Sequence, residues 1–376
     1  MIYLDYSATT PVLKDVLDSY IHVTKDFIGN ANSIHNLGIK SKELLLKATR
    51  QISEILNCDI NEIIYTSGAS ESNSTALKGV AFKHCRKGKH IISSPLEHKS
   101  VLDTLKYLEM CGFEVSYVKL NTDGQVDLKD LESLVREDTI LVTICAVNSE
   151  VGYRAPLKTI RQIINKKNKN VIFHSDMTQA LGKTKINLND VDLASFSGHK
   201  IYAPKGIGIL YKAKNVEIEP LIWGLTENAK YRGGTPPLPL IVSLAKAMRI
   251  MSESLEENIK KVSKLKDLLI SGLADERIHI NSNNLCVPHI VNISLKNIRS
   301  ETFVRALEKY EVYISTNSAC SSLDSSTVLK AITDDKSINT TSIRISISHF
   351  TTKLEINEFI QAFYKVYNEL LLKKWY

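Results

Sequence analysis

No stretch of the 376 residues is long and apolar enough to span a membrane. The longest apolar run, around Ile140 to Val147, falls far short of the roughly 18–20 residues a crossing needs. The segment Met1-Ile2-Tyr3-Leu4-Asp5 has neither a basic region nor an apolar core behind it, so no secretory signal is expected and the cytoplasm is the default location. No two of the six cysteines (Cys58, Cys85, Cys111, Cys145, Cys286, Cys320) form a Cys-x-x-Cys pair, which removes zinc ribbons and dithiol redox motifs. In a cytosolic chain they are expected to be reduced, most of them buried as small hydrophobes. Internal repeats, low-complexity tracts and heptads are also missing. One-sided charge is scarce: 48 Lys+Arg against 41 Asp+Glu leaves +7. Over this length that is too thin for a nucleic-acid footprint. Lys166, Lys167 and Lys169 read as the solvated end of a helix.

What is present is ordinary globular composition, 43% hydrophobic and 24% charged, in a chain long enough for two domains. Short β-rich runs alternate with helical patterns. Strands are expected over 62–66, 90–92, 115–118, 139–146, 171–173, 192–197 and 206–211. Helices are expected over 70–84, 100–110, 127–136 and 157–166. This order predicts an α/β fold with an open, mostly parallel seven-stranded sheet flanked by helices. From about Pro236 the pattern changes to long helices over 240–255 and 259–273, with strands at 289–294 and 343–347. A large domain over 13–255 is therefore expected. Residues 1–12 and 256–376 should form a smaller α+β domain.

Two nucleotide motifs fail. Gly182-Lys183-Thr184 imitates the end of a P-loop, but Met177 stands where its first glycine is needed. Gly206-Ile207-Gly208 lacks a third glycine, leads into a strand, and reads as a tight turn. Nicotinamide and ATP chemistry are thus unsupported. Polar groups at successive strand ends are better candidates, because ligands of such sheets sit beyond the carboxyl ends of the strands. Thr66-Ser67-Gly68-Ala69-Ser70-Glu71-Ser72 joins a strand to a helix and offers backbone N–H groups to an anion, or simply an N-cap at Ser70. His98 follows the next strand, Asn148 a third, and His174-Ser175-Asp176 a fourth, with Gln179 just beyond. Ser197-Gly198-His199-Lys200 follows a fifth. Pyridoxal phosphate needs a Schiff-base lysine, a carboxylate opposite its ring nitrogen and a phosphate cradle. Lys200, Asp176, and the group Ser70, Ser197 and His199 match these needs. His98 is a flat partner for a ring face.

On these residues the chain resembles the cysteine desulfurases of the NifS/IscS group, class V aminotransferase-like enzymes of the fold-type I PLP-dependent transferase class. Further matching segments are Tyr3 to Thr10, Gly29-Asn30 to His35, Glu97-His98, Asn148 to Gly152, Arg232 to Thr235, Ser318-Ala319-Cys320-Ser321 and Arg344-Ile345-Ser346. The resemblance implies a homodimer with pyridoxal 5′-phosphate as cofactor and no metal, converting L-cysteine to L-alanine. Lys200 would bind the cofactor and move the substrate α-proton, and Asp176 would keep the ring nitrogen protonated. His98 would stack and assist proton transfer. Gln179 and Asn148 would bond the ring's phenolic oxygen. Ala69, Ser70, Ser197 and His199 would hold the phosphate, joined by Thr235 of the partner subunit. Arg344, with Asn148 and Asn30, would hold the substrate carboxylate.

Cys320 would take the sulfur as a persulfide. Its small, polar, non-periodic surroundings, Ser315 to Ser322, read as an exposed loop suited to this chemistry, although an incidental surface thiol has the same look. The other five cysteines sit in or beside periodic elements and read as structural. The implied acceptor is an Fe–S scaffold or a tRNA-thiolation enzyme, with neither membrane nor direct nucleic acid involved. Selenocysteine lyase or aminotransferase activity, or a weakly active acceptor-binding scaffold, are the alternatives. A transaminase needs no loop cysteine, and a scaffold needs no intact Lys200, Asp176 and Cys320. Trp223 to Asn228, Pro236 to Pro239, Ser149 and a short segment after Cys320 depart from the family pattern. They bear on partner identity rather than on chemistry.

Overall fold

The computed structural model describes residues 1–121, 123–225, 229–316 and 327–372. Along the chain, β1 (Ile2–Tyr3), α1 (Lys14–Asp26) and α2 (Asn36–Leu56) lead into an alternating series. It runs β2 (Ile63–Thr66), α3 (Ala69–His84), β3 (His90–Ser93), α4 (Lys99–Met110), β4 (Glu114–Tyr117), α5 (Leu128–Leu134), β5 (Thr139–Thr143), α6 (Leu157–Lys167), β6 (Ile172–Asp176), β7 (Leu193–Ser197) and β8 (Gly208–Lys212). These seven strands form one sheet in the order β2-β8-β7-β6-β5-β3-β4. Only β8 runs antiparallel to its neighbours. From β3 the chain steps outward to the edge strand β4, then returns past β3 to β5. The crevice between β3 and β5 is therefore the topological switch point, where sheets of this kind receive ligands.

Helices on both faces bury the sheet. α3 and α4 cover Ile91, Leu141, Leu193 and Leu210, while the opposite face packs Ile92, Val142, Phe173 and Phe196 against α7 (Leu238–Glu253) and its neighbours. Buried polar atoms in such a layer need partners. His174 finds them in Thr143 Oγ1 (2.8 Å) and Ser195 Oγ (3.0 Å), and so ties β6 to β5 and β7. Burial pulls its pKa down to about 4, which keeps it neutral. His90 ties β3 to β5 and β4 in the same way through Thr139 and Ser116. The strand expected to end at Phe173 runs on to Asp176, so His174 is a tie inside the sheet and only Asp176 emerges at its end.

After α7, a break at Ser254 starts α8 (Leu255–Gly272), where the sequence pattern predicted a start at 259. There follow β9 (Ile278–Ile280), β10 (Ile290–Leu295), α9 (Ser300–Glu308), β11 (Val312–Tyr313), α10 (Thr327–Ile332), α11 (Lys336–Thr341), β12 (Ser342–Ser346) and α12 (Lys353–Leu372). β12, β10 and β9 form an antiparallel sheet. Its core joins Ile293 and Ile345 to Phe303, Phe359, Phe363 and Tyr367. β1 pairs in parallel with β11, and Leu4 lies in this second core. Residues 5–10 then run from β12 to the end of β7: Ser7 N–H donates to Ser346 Oγ, and Thr10 N–H to His199 O.

Five cysteines lie among the described residues, and none is in a disulfide. Burial was expected for most of them, but only Cys145 is buried. Cys85 and Cys111 are exposed because each terminates a helix, α3 and α4, where the chain turns out to solvent. Among the described residues no helix is long and apolar enough to cross a membrane, and no three His, Cys, Asp or Glu side chains are grouped to hold a metal.

Candidate active site

Lys200 ends a short turn, Gly198–Lys200, directly after β7. Its Nζ donates to Ser7 O (2.7 Å) and Ala8 O (2.6 Å). The amine is thus held by backbone carbonyls of the amino-terminal segment. Ser7 O also accepts from Gln179 Nε2 (2.9 Å), whose Oε1 accepts from Lys183 Nζ (2.8 Å). Burial, reinforced by Lys200 and Arg344, lowers the Lys183 pKa to about 7. Lys200 and Arg344, with Lys183 near them, give this region a positive potential that favours an anion. Ser7, Ala8 and Lys183 were not expected site residues. Lys183 was set aside with its failed P-loop motif, and no side-chain pattern signals a carbonyl's role.

Asp176 is buried at the end of β6. Its Oδ2 accepts from Asn73 Nδ2 (2.8 Å) and its Oδ1 from the Thr178 N–H (2.9 Å). These donors orient the carboxylate and leave lone pairs for a cationic ring N–H. His98 is the N-cap of α4, with Nδ1 accepting the Ser100 N–H at 3.1 Å. Asn148 is buried. Its Oδ1 accepts from the N–H groups of Glu150 (2.9 Å) and Val151 (2.8 Å), and its Nδ2 donates to Leu96 O (2.8 Å). It staples the turn after β5 to the loop that carries His98.

The anion cradle lies where β2 and β7 end. Gly68 supplies no side-chain cap to α3, so the N–H groups opening at Ala69 and Ser70 are free for an anion. Gly208 pairs with Thr66 on one side and Ser197 on the other. A Cβ there would stand 2.5 Å from Phe196 O and 2.6 Å from Gly68 Cα. Its glycine is therefore a close-approach position that lets the two loops converge, more than the tight turn the sequence suggested. Ser197 Oγ lies 3.6 Å from where a Gly68 Cβ would be. His199 Nδ1 is 3.1 Å from Thr9 Oγ1. Burial first, then Lys200, Lys205 and Lys183, lowers its pKa to about 4, so it meets an anion as a neutral donor. Uncapped helix N–H groups, a buried serine and a neutral histidine fit a phosphate; the oriented Asp176 and the tethered Lys200 fit the ring.

Arg344, in β12, is 1% exposed. Its guanidinium donates to Asp5 Oδ1 (2.8 Å) and Ser149 O (3.0 Å), while Nε is buried without a partner among the described residues. Such an orphaned donor costs about 1–3 kcal/mol until an acceptor arrives, which fits a substrate carboxylate. Asn30 is exposed; its Oδ1 accepts from the Asn32 N–H, and it shares no hydrogen bond with the Lys200 group among the described residues. Thr235 is exposed three residues after Arg232, whose Nε reaches Glu71 Oε1 at the start of α3 (3.0 Å). Cys320 lies outside the described residues.

The class V aminotransferase family model matches residues 2–359. The chain belongs to this family, in its NifS/IscS cysteine desulfurase group. Cysteine desulfurase IscS of Buchnera aphidicola subsp. Acyrthosiphon pisum (strain 5A) is 40% identical, over 98% of this chain and 93% of its own. A solved NifS-like protein superposes with a TM-score of 0.92 at 39% identity, over 99% of both chains. A structure of SspA in complex with cysteine gives a TM-score of 0.82 at 33% identity, over 94% of this chain and 100% of that one. The fold is that of the fold-type I PLP enzymes, and the cofactor is pyridoxal 5′-phosphate.

With this cofactor, Asp176→Asn should still bind but stabilise the protonated ring poorly. A loss in turnover of about a hundredfold is expected, the usual worth of one electrostatic stabiliser. Steady-state assay beside a cofactor titration checks this; a loss under threefold with unchanged affinity counts against the assigned role.

Proposed function

We propose that this protein is a PLP-dependent cysteine desulfurase that converts L-cysteine to L-alanine and delivers the sulfur, through Cys320, to an acceptor protein. The observation that carries the proposal is that Lys200, Asp176 and the cradle at Gly68 to Ser70 lie at or just after the ends of strands β7, β6 and β2 of one sheet, with Arg344 held beside the same amino-terminal segment as Lys200. When bound, the cofactor supplies an electron sink next to the substrate Cα. The chain's own groups do the rest. Ala69 and Ser70 N–H groups, Ser197 and His199 anchor the phosphate, and Asp176 accepts the ring N–H. Gln179 and Asn148 are assigned to the phenolic oxygen. Arg344 Nε and its fork receive the substrate carboxylate, with Asn148 and Asn30 assisting. Lys200 Nζ takes the Cα proton and returns it, while His98 packs against the ring. The Cys320 thiolate attacks the substrate sulfur: the S–S bond forms as the substrate Cβ–S bond breaks, the released electron pair would be taken up by the electron sink the cofactor supplies, and protonation at Cβ completes alanine, leaving a persulfide on Cys320.

The working form is proposed to be a homodimer, with Thr235 completing the phosphate site of the partner subunit. Ile28 and Ile34 are 77% and 95% exposed, and Leu37, Ile39, Leu46 and Trp223 are exposed as well, apolar side chains that a subunit contact would cover. The cytoplasm is the proposed location.

Sulfide and alanine assays with L-cysteine and a reductant test this function. Equal amounts of both products are expected, from a yellow protein that light scattering finds dimeric. A colourless protein, or one that transaminates without releasing sulfide, refutes the proposal.

A further inference from the structure

Four side chains from separate parts of the fold form one hydrogen-bond chain. Asn73, in α3 and fully buried, donates through Nδ2 to Asp176 Oδ2 (2.8 Å) and to Ser100 Oγ (2.9 Å). Ser100, in the first turn of α4, brings its hydroxyl within 2.9 Å of His98 Nδ1, and its backbone N–H donates to the same nitrogen at 3.1 Å. Neither Asn73 nor Ser100 belongs to the cofactor-binding set assigned above.

The donors in this chain have one consistent direction. A carboxylate only accepts, so Asn73 must turn its NH2 towards Asp176. Its second amide hydrogen then goes to Ser100 Oγ, which leaves the Ser100 hydroxyl hydrogen for His98 Nδ1. The Ser100 N–H points there as well. A proton on Nδ1 would face two donors, so Nδ1 keeps its lone pair and neutral His98 carries its proton on Nε2. The orientation has a cost. Asn73 Oδ1 is buried and has no partner among the described residues. The opposite orientation would cost more, because it would set Oδ1 against the Asp176 carboxylate.

We propose that Asn73 and Ser100 are positioning residues that lock His98 as a neutral Nε2–H donor and hold Asp176 for the cofactor. The assignment deepens the function proposed above and rests on it. It has a chemical consequence. His98 offers a donor rather than a basic lone pair at Nε2, so the base that takes the substrate proton is Lys200. The charged groups that influence His98 are Asp176, Lys200, Asp103 and Lys99. Burial, supported by Lys200 and Lys99, outweighs Asp176 and Asp103 and keeps the imidazole pKa below its ordinary value.

Histidine-selective 15N NMR on the cofactor-free protein reads the tautomer directly, with His98→Gln used to assign the signal. Wild type is expected to show a protonated Nε2 and a bare Nδ1. Ser100→Ala removes one of the two donors to Nδ1. It should keep the tautomer but raise the protonation constant of His98 roughly three- to tenfold, since a lost hydrogen bond to the neutral form favours the cation. Asn73→Ala should do the same and also weaken cofactor binding about tenfold. Ser100→Thr keeps the hydroxyl and should titrate as wild type. A proton on Nδ1 in the wild type overturns the proposal, as do alanine variants that titrate like the wild type. Where Asn73→Ala fails to fold, the Ser100→Ala titration decides, and a proton on Nδ1 of the wild type overturns the proposal in either case. Failure of the cofactor assignment would appear separately, as a wild type with the expected tautomer that does not bind pyridoxal phosphate.

Discussion

Lys200→Ala should be colourless after reconstitution and should release no sulfide above background. The Lys200 amine is the group proposed to form the covalent imine, and imine-forming lysines carry both attachment and proton transfer. Proton transfer alone is worth about 10²–10⁴-fold, and the loss of cofactor attachment adds to it. The phosphate cradle should survive, because Ser197, His199 and the start of α3 are fixed by the sheet edge rather than by Lys200. Cofactor should therefore bind weakly and reversibly, which absorbance after gel filtration will reveal. The substitution also leaves the Ser7 and Ala8 carbonyls without the Nζ donor, so a modest fall in melting temperature is expected. A variant that stays yellow and active would remove Lys200 from its assigned role.

Cys320→Ser is the second large effect, and it separates sulfur transfer from cofactor chemistry. The variant should remain yellow and change its spectrum on addition of L-cysteine, yet release no sulfide. An alcohol is a far poorer nucleophile towards sulfur than a thiolate. In the wild type, a pulse of L-cysteine without reductant should add one sulfur to the peptide containing Cys320, as read by mass spectrometry. The other cysteines are poor competitors for defined reasons. Burial pushes the Cys145 thiol well above its usual range, and its Sγ is engaged with Leu96 O. Burial also raises Cys286 and, with Glu62 and Asp59, lifts Cys58 to about 12. Added sulfur on exposed Cys85 or Cys111, or wild-type sulfide release by Cys320→Ser, would end the persulfide assignment.

The alternation of strand and helix was legible from the sequence because each strand reports itself locally, through a run of β-branched and aliphatic residues between turns. β3, β5 and β8 appear close to where hydrophobicity placed them. The polar residues after these runs were legible for the same reason: Asp176, Lys200, His98 and the Gly68 to Ser70 turn each mark a strand end. β6 was read short because His174 and Ser175 look like loop residues, and only their pairing with Leu193 and Ala194 of β7, with the His174 ties to Ser195 and Thr143, shows that they belong to the sheet.

The strand–helix alternation, the polar residues at strand ends and the family were all readable in the residues themselves. Tertiary structure alone decided how those side chains are held. Ser7 and Ala8 act through carbonyls, which every residue carries, so no composition marks them. Asp5 meets Arg344 across 339 positions, and Asn73 meets Asp176 across 103. Hydrophobic periodicity is a short-range signal that reports which way a side chain faces. Hydrogen-bond partnership between distant segments depends on sheet order and crossover, and only the folded chain contains it.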